Sequence, residues 1–246
     1  MRKTEAHGLK GWASVISGVI CALLVSAIAA ATARAALPTE DSEAWSLRKE
    51  TGDIRVYTME QSDSSFQAFK AEALLDAPIE AIMAVMVDPA SCIEWVLNCS
   101  ESYGVGKNSF HDRYAYSVND MPWPVTDRDY VLNIRTRGNE SAGEIIMEMS
   151  ATPGKRAEIS NRIRVDRSDT LYRFIPEGTK TRMIWLQHTD PNGALPGWLV
   201  NTLLIDIPVR SMETLERVSA QERYQGFSLV YDADGRLVNV RQPDGN

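Results

Sequence analysis

Histidine and cysteine are scarce in this chain, three of each in 246 residues. Those residue types supply most zinc sites and much acid–base chemistry, so their scarcity already narrows the function classes. No histidine lies near the Cys92/Cys99 pair, which leaves a metal centre short of ligands. His111 opens one alternating run and His188 closes another, where a surface or half-buried role is expected rather than general-base work. The chain also lacks G-x-S-x-G, H-E-x-x-H, C-x-x-C and a glycine-rich phosphate loop. No catalytic residue, metal or cofactor is expected.

Positive charge is the next shortage. The exception is the N-terminus, where Arg2, Lys3 and Lys10 precede a long uncharged run that ends in Ala33-Arg34-Ala35. A basic stretch, an apolar core and an A-x-A site describe a secretory signal, residues 1–35, cleaved after Ala35. If uncleaved, the same run would anchor the protein in a membrane. Cleavage removes four of 26 basic residues and Glu5 from 33 acidic ones, leaving 22 against 32, a net charge of −10. Such a surface repels nucleic acid and has no general attraction for anionic headgroups. A periplasmic, monomeric protein is expected, making at most local and transient membrane contact.

One domain is expected over 40–225, followed by a C-terminal tail, 226–246. "DIRVYTME" and "SFQAFKAEALL" alternate and read as a hairpin. "APIEAIMAVMV" has helical spacing, with Ile79, Ile82, Met83 and Met86 on one side and Asp76 as candidate cap before Pro78. Asp88-Pro89 ends it, and a second short helix carries Trp95. Seven strand candidates follow: "ESYGVGK", "FHDRYAYSVN", "DYVLNIRTR", "GEIIMEMSA", "EISNRIRVDR", "TLYRFIPE" and "TRMIWLQHTD". "LPGWLVNTLLIDIPVRSMETLERV" reads as one long amphipathic helix kinked at Pro208. The tail adds a short hairpin around Asp234-Gly235, with a loose end. The fold class is therefore α+β: a curved antiparallel sheet around a long C-terminal helix, enclosing core side chains or a cavity.

Cys92 and Cys99 could form a disulfide only if the helix breaks between them, near Asn98, because seven helical residues span roughly 10 Å. Two half-buried free thiols are the alternative. In "MPWPVTDRDY", Asp127 and Asp129 flank Arg128, and ion pairing within that triplet, with a structural role, is expected over paired-carboxylate catalysis. Strand phase places Tyr130, Leu132, Ile134, Met147, Met149, Met183 and Trp185 on inward faces. Leu199 and Leu203 join them from the helix. Methionines and aromatics there suit a soft pocket for a flexible apolar ligand.

From about Ala77 to Val218 the chain resembles the START (StAR-related lipid transfer) family in its bacterial exported form. The matching pieces are Trp95, Asn98 and Cys99, then "PWPVTDRDYV", then "GTKTRMIWLQHTDPNGALPGWLVN". The resemblance implies the helix-grip fold, a tunnel for one lipid or sterol, gating by the C-terminal helix and its loops, and no cofactor. Sterol-carrying members place a buried arginine six residues after the motif arginine, paired with an acid on the preceding strand. Counting from Arg128 gives Ile134 and Ala115 instead. Arg113, in phase with Ala115, is the nearby charge that could enter the cavity and meet a headgroup. These substitutions favour a phospholipid or fatty-acyl ligand over a sterol. Helix-grip relatives also include polyketide cyclases and aromatases, which makes an enzyme the alternative. A regulatory protein with a collapsed cavity is a third reading.

Overall fold

A computed structural model of the chain describes residues 37–196, 199–200 and 202–242. The signal segment read at residues 1–35 lies outside them, as does Trp198. Among the described residues one sheet dominates. Its strands are β1 (Ser46–Thr51), β2 (Ile54–Met59), β3 (Ala68–Leu75), β4 (Cys99–Gly104), β5 (Asp112–Asn119), β6 (Arg128–Asn139), β7 (Glu144–Ala151), β8 (Ile163–Arg164), β9 (Arg167–Glu177) and β10 (Lys180–Asp190). They run in the order β1-β2-β3-β10-β9-β7-β6-β5-β4, antiparallel throughout. β8 is an exception, a two-residue parallel pair beside the start of β6.

The alternation in sequence becomes two faces of this sheet. In β9 the burial pattern alternates strictly over Ser168, Thr170, Tyr172 and Phe174. The concave face is covered by α1 (Ile79–Val87), α2 (Cys92–Trp95) and α3 (Ile207–Ser219). α1 is buried on more than the one side its spacing suggests, because sheet, α3 and the C-terminal hairpin all pack on it. Its N-terminus is not capped by Asp76. Pro78 takes the cap position, and the Asp76 backbone N–H donates to Glu216 of α3 at 2.8 Å.

Three departures from the sequence reading have physical causes. "EISNRIRVDR" is mostly irregular, since Arg164 is drawn onto Asp129 and only Ile163–Arg164 pair with β6. The long helix is not one kinked rod. A π-helical turn, Thr202–Asp206, precedes α3, with Pro208 in its first turn. Proline offers no N–H to Leu204, and the helix widens before it instead of bending through it. The tail turns at Asp234-Gly235 as expected, and its last residues, 243–246, lie outside the described ones. β11 (Ser228–Tyr231) and β12 (Leu237–Arg241) form a hairpin that buries Leu237 and Val240 in the main core. Gly138 permits this, as a Cβ there would stand 3.1 Å from Leu237. β1 was not read in the sequence, because its SLRKET pattern is exposed on nearly every residue and carries no alternation.

Cys92 and Cys99 are disulfide-bonded, with Cα atoms 6.0 Å apart. The helix does break between them: α2 stops at Trp95, and Asn98 takes a left-handed φ of 68°. Asparagine tolerates that region better than most residues. α2 is thereby tied to β4.

Candidate ligand cavity

Between the concave face and the helices lies a cavity of about 350 Å³. β6 contributes Tyr130, Leu132 and Ile134, and β7 contributes Met147 and Met149. Trp185 of β10 and Leu203 of the π-turn complete the expected set that lines it, along with Arg113 of β5. Met183 and Leu199 lie outside the lining. Met183 shares the inward phase of Trp185, but it is wholly enclosed in the main core beside Phe174, its partner on β9, near where α1 packs on β10. Leu199 is buried too, yet Val200, Leu203, Leu204 and Ile207 are the helical residues that face the space.

The sequence reading named Trp185 but missed the three other members of an aromatic wall. Trp95, Tyr172, Trp185 and Phe69 all line the cavity in edge-to-face contact, with centroids 5.2–6.1 Å apart. Trp95 and Phe69 come from separate elements, so only the tertiary fold could bring them to the sheet residues. A polar row was also missed. Trp185 Nε1 donates to Gln187, Gln187 donates to Thr189, and Thr189 shares a hydrogen bond with Ser168 at 2.8 Å. This row answers its own hydrogen-bonding needs. Burial pushes the phenols of Tyr130 (to about 12) and Tyr172 upward, so both stay neutral at ordinary pH.

Arg113 is different. Its Nη1 donates to Phe110 O and Thr136 Oγ1, both at 2.8 Å, while Nη2 is buried without a hydrogen-bond partner. Desolvation pulls its pKa down to about 10, with no carboxylate acting on it. Asp88 is the one carboxylate in the described lining, and it is occupied by Tyr224 Oη and the Ala90 N–H. Ile134 and Ala115 both line the cavity, and Arg113 stands directly opposite Ile134 in the β5–β6 register.

Arg128 sits outside the chemistry of the cavity but shapes one end of it. It is 1% exposed and donates to Thr126 O, Pro191 O and Asn192 O. The expected pairing with Asp127 and Asp129 does not occur, because strand alternation sends both carboxylates to the other face. Asp127 accepts the Met121 N–H, and Asp129 pairs with Arg164. His188, expected at or near the surface, is 1% exposed on the face of β10 opposite Trp185 and Gln187. Burial lowers its pKa against the upward pull of the Phe66 backbone and Asp63. No group of three metal-ligating side chains occurs among the described residues.

The START domain model matches residues 26–225. The chain belongs to the START domain family. An uncharacterized Pseudomonas aeruginosa protein is 30% identical over 183 residues, covering 74% of this chain and 89% of that protein. Bovine phosphatidylcholine transfer protein is 25% identical over 169 residues, 67% of this chain and 78% of its own. Among solved structures, a STAR-related lipid transfer protein fragment from Xanthomonas axonopodis superposes with a TM-score of 0.67 at 24% identity, over 73% of this chain and all of that one. Human StAR-related lipid transfer protein 5 superposes with a TM-score of 0.65 at 15% identity, over 73% and 88%. This START domain thus has the helix-grip architecture, and its cavity occupies the space between the sheet and the C-terminal helix.

Proposed function

We propose that this START domain is an exported lipid-binding protein that holds one hydrophobic ligand and moves it through an aqueous compartment. The observation that carries the proposal is the cavity: about 350 Å³ walled by Leu132, Met147, Met149, Trp185 and the helical Leu203 and Leu204. Burying a methylene contributes roughly 0.8 kcal/mol, so an acyl chain needs no strong polar contact to be retained. The similarity to lipid transfer proteins supports the same reading. An acyl lipid fits better than a sterol, since Ile134 and Ala115 replace a polar pair. The π-turn and α3 form the gate. Residues 1–35 direct export to the periplasm.

Membrane contact is local and transient in this proposal. Trp123 is 92% exposed between two prolines, in the loop that joins cavity-lining Asn119 to cavity-lining Tyr130. An indole held out on a stiff loop suits the bilayer interface, where its ring and N–H are both accommodated.

Native mass spectrometry of protein purified from its own host, followed by organic extraction, tests the function. A co-purifying lipid in one-to-one ratio is expected. An empty protein that also takes up no fluorescent lipid would overturn the proposal, and turnover of an aromatic polyketide would move it to the enzyme class.

A further inference from the structure

We propose that the cavity selects an acyl lipid ending in one anionic group, carboxylate or phosphate, whose charge is neutralised by Arg113. This rests on the lipid-carrying reading and narrows it to a ligand class.

Two observations lead there. The first is an unbalanced cation. Arg113 has Nη1 fully engaged by Phe110 O and Thr136 Oγ1, which fixes the guanidinium, while Nη2 is buried and bonded to nothing. A buried guanidinium without an acid is costly, and proteins almost always supply a partner. None of the described neighbours does so: Asp88 is held by Tyr224 and Ala90, and the polar row from Trp185 to Ser168 is satisfied within itself. The missing acceptor is therefore the ligand's own.

The second observation is shape. Arg113 and Asn119 both line the cavity and lie six residues apart on β5, about 20 Å at ~3.3 Å per residue. The cavity thus runs along β5 from Arg113 for a length that suits an extended acyl chain. Between the two ends the walls are Leu132, Ile134, Met149 and the aromatic cluster, which offer an alkyl chain contact without a hydrogen bond. An anion at Arg113 places the chain along β5 and β6 with its tail toward Asn119.

Binding to the purified, delipidated protein is read from the fluorescence of Trp95 and Trp185, both in the cavity wall. The probes are palmitate, hexadecyl phosphate, hexadecanol, dipalmitoylphosphatidylcholine and inorganic phosphate. Palmitate and hexadecyl phosphate are expected to bind about tenfold or more tightly than hexadecanol, the difference made by a charge-assisted hydrogen bond. In Arg113→Gln that ratio falls to about one, and Arg113→Lys restores part of it. Arg113→Met, checked by thermal unfolding, guards against misreading a folding defect. Equal binding of palmitate and hexadecanol by the natural chain overturns the proposal, as does a preference that survives in Arg113→Gln. Tighter binding of dipalmitoylphosphatidylcholine, whose phosphate is balanced by choline, than of palmitate overturns the assignment of a net anion. Competition by millimolar inorganic phosphate would make this a free-anion site and overturn the lipid headgroup. Binding of hexadecanol without any anion preference defeats the inference and leaves the lipid reading intact, whereas failure of all the lipid probes defeats both.

Discussion

Arg164 and Arg113 lie on opposite faces of the sheet around β5 and β6, and their hydrogen bonds differ completely. Arg164, on the convex side, uses every donor it has. Nε and Nη2 reach the two oxygens of Asp129 at 2.9 Å, Nη1 reaches Pro153 O and Arg156 O, and Nη2 also reaches Ala157 O. Tyr116 Oη donates to the same carboxylate, and Arg162 donates to Tyr116 and pairs with Glu101. The ensemble staples the irregular segment 152–165 over a small second core of Tyr116, Val118 and Val131. Arg113, on the concave side, leaves Nη2 unbonded beside an apolar cavity. A guanidinium that only holds a fold together is saturated by that fold. One left incomplete is stable enough to persist and is available to something that enters.

Four substitutions or conditions separate the two faces, beginning with the strongest. Arg164→Met strands Asp129, which is 1% exposed, and should cost about 3–5 kcal/mol in urea unfolding. Loss of less than 1 kcal/mol would show that the convex network is dispensable. Next, Arg128→Ala leaves three carbonyls at Thr126, Pro191 and Asn192 without their donor, and an unfolding loss of about 1–3 kcal/mol is expected. Ligand preference should change less than stability; a well-folded Arg128→Ala protein with altered ligand choice would place this residue among the ligand contacts.

Acid titration gives a smaller, graded effect. Burial pushes Asp129 upward, but hydrogen bonds from Arg164 and Tyr116 more than offset it and hold the carboxyl below its ordinary 3.8. The unfolded chain therefore binds that proton first, so the stabilisation is complete above pH 3.8 and is lost as pH falls through the depressed folded value. Denaturation midpoints measured between pH 5 and 2 should fall in the natural chain, and Asp129→Asn should flatten its share of that slope. The smallest effect belongs to Arg113→Met. Removing an unpaired buried cation leaves the midpoint of the empty protein unchanged or raises it. A marked loss would reveal that Arg113 is structural, like Arg164, and would erase the contrast between the faces.

Much of this was legible before any coordinates. Period-two alternation in "DYVLNIRTR" and "GEIIMEMSA" marked the strands and their inward residues, because a strand buried on one face cannot change phase without exposing its apolar set. The Cys92–Cys99 bridge was readable as a condition, a helix break near Asn98, and the break is there. The cavity was legible strand by strand, but its limits were not. Met183 and Trp185 share a phase and a core, and only tertiary packing decides that one is wholly enclosed while the other also borders the cavity. Likewise Phe69, Trp95 and Tyr172 converge from three elements far apart in the chain.

The charges divide in the same way. Alternation alone determined that Arg128 and its flanking aspartates point to opposite faces, although the triplet's proximity in sequence suggested an ion pair. That Asp129 would meet Arg164, 35 residues on, depended on a loop folding back over the sheet. That Arg113 would meet no acid at all depended on everything packed around it. Local periodicity follows from backbone geometry and is written in the chain residue by residue. Whether a buried charge has a partner is a property of the whole enclosure, and only the tertiary structure decides it.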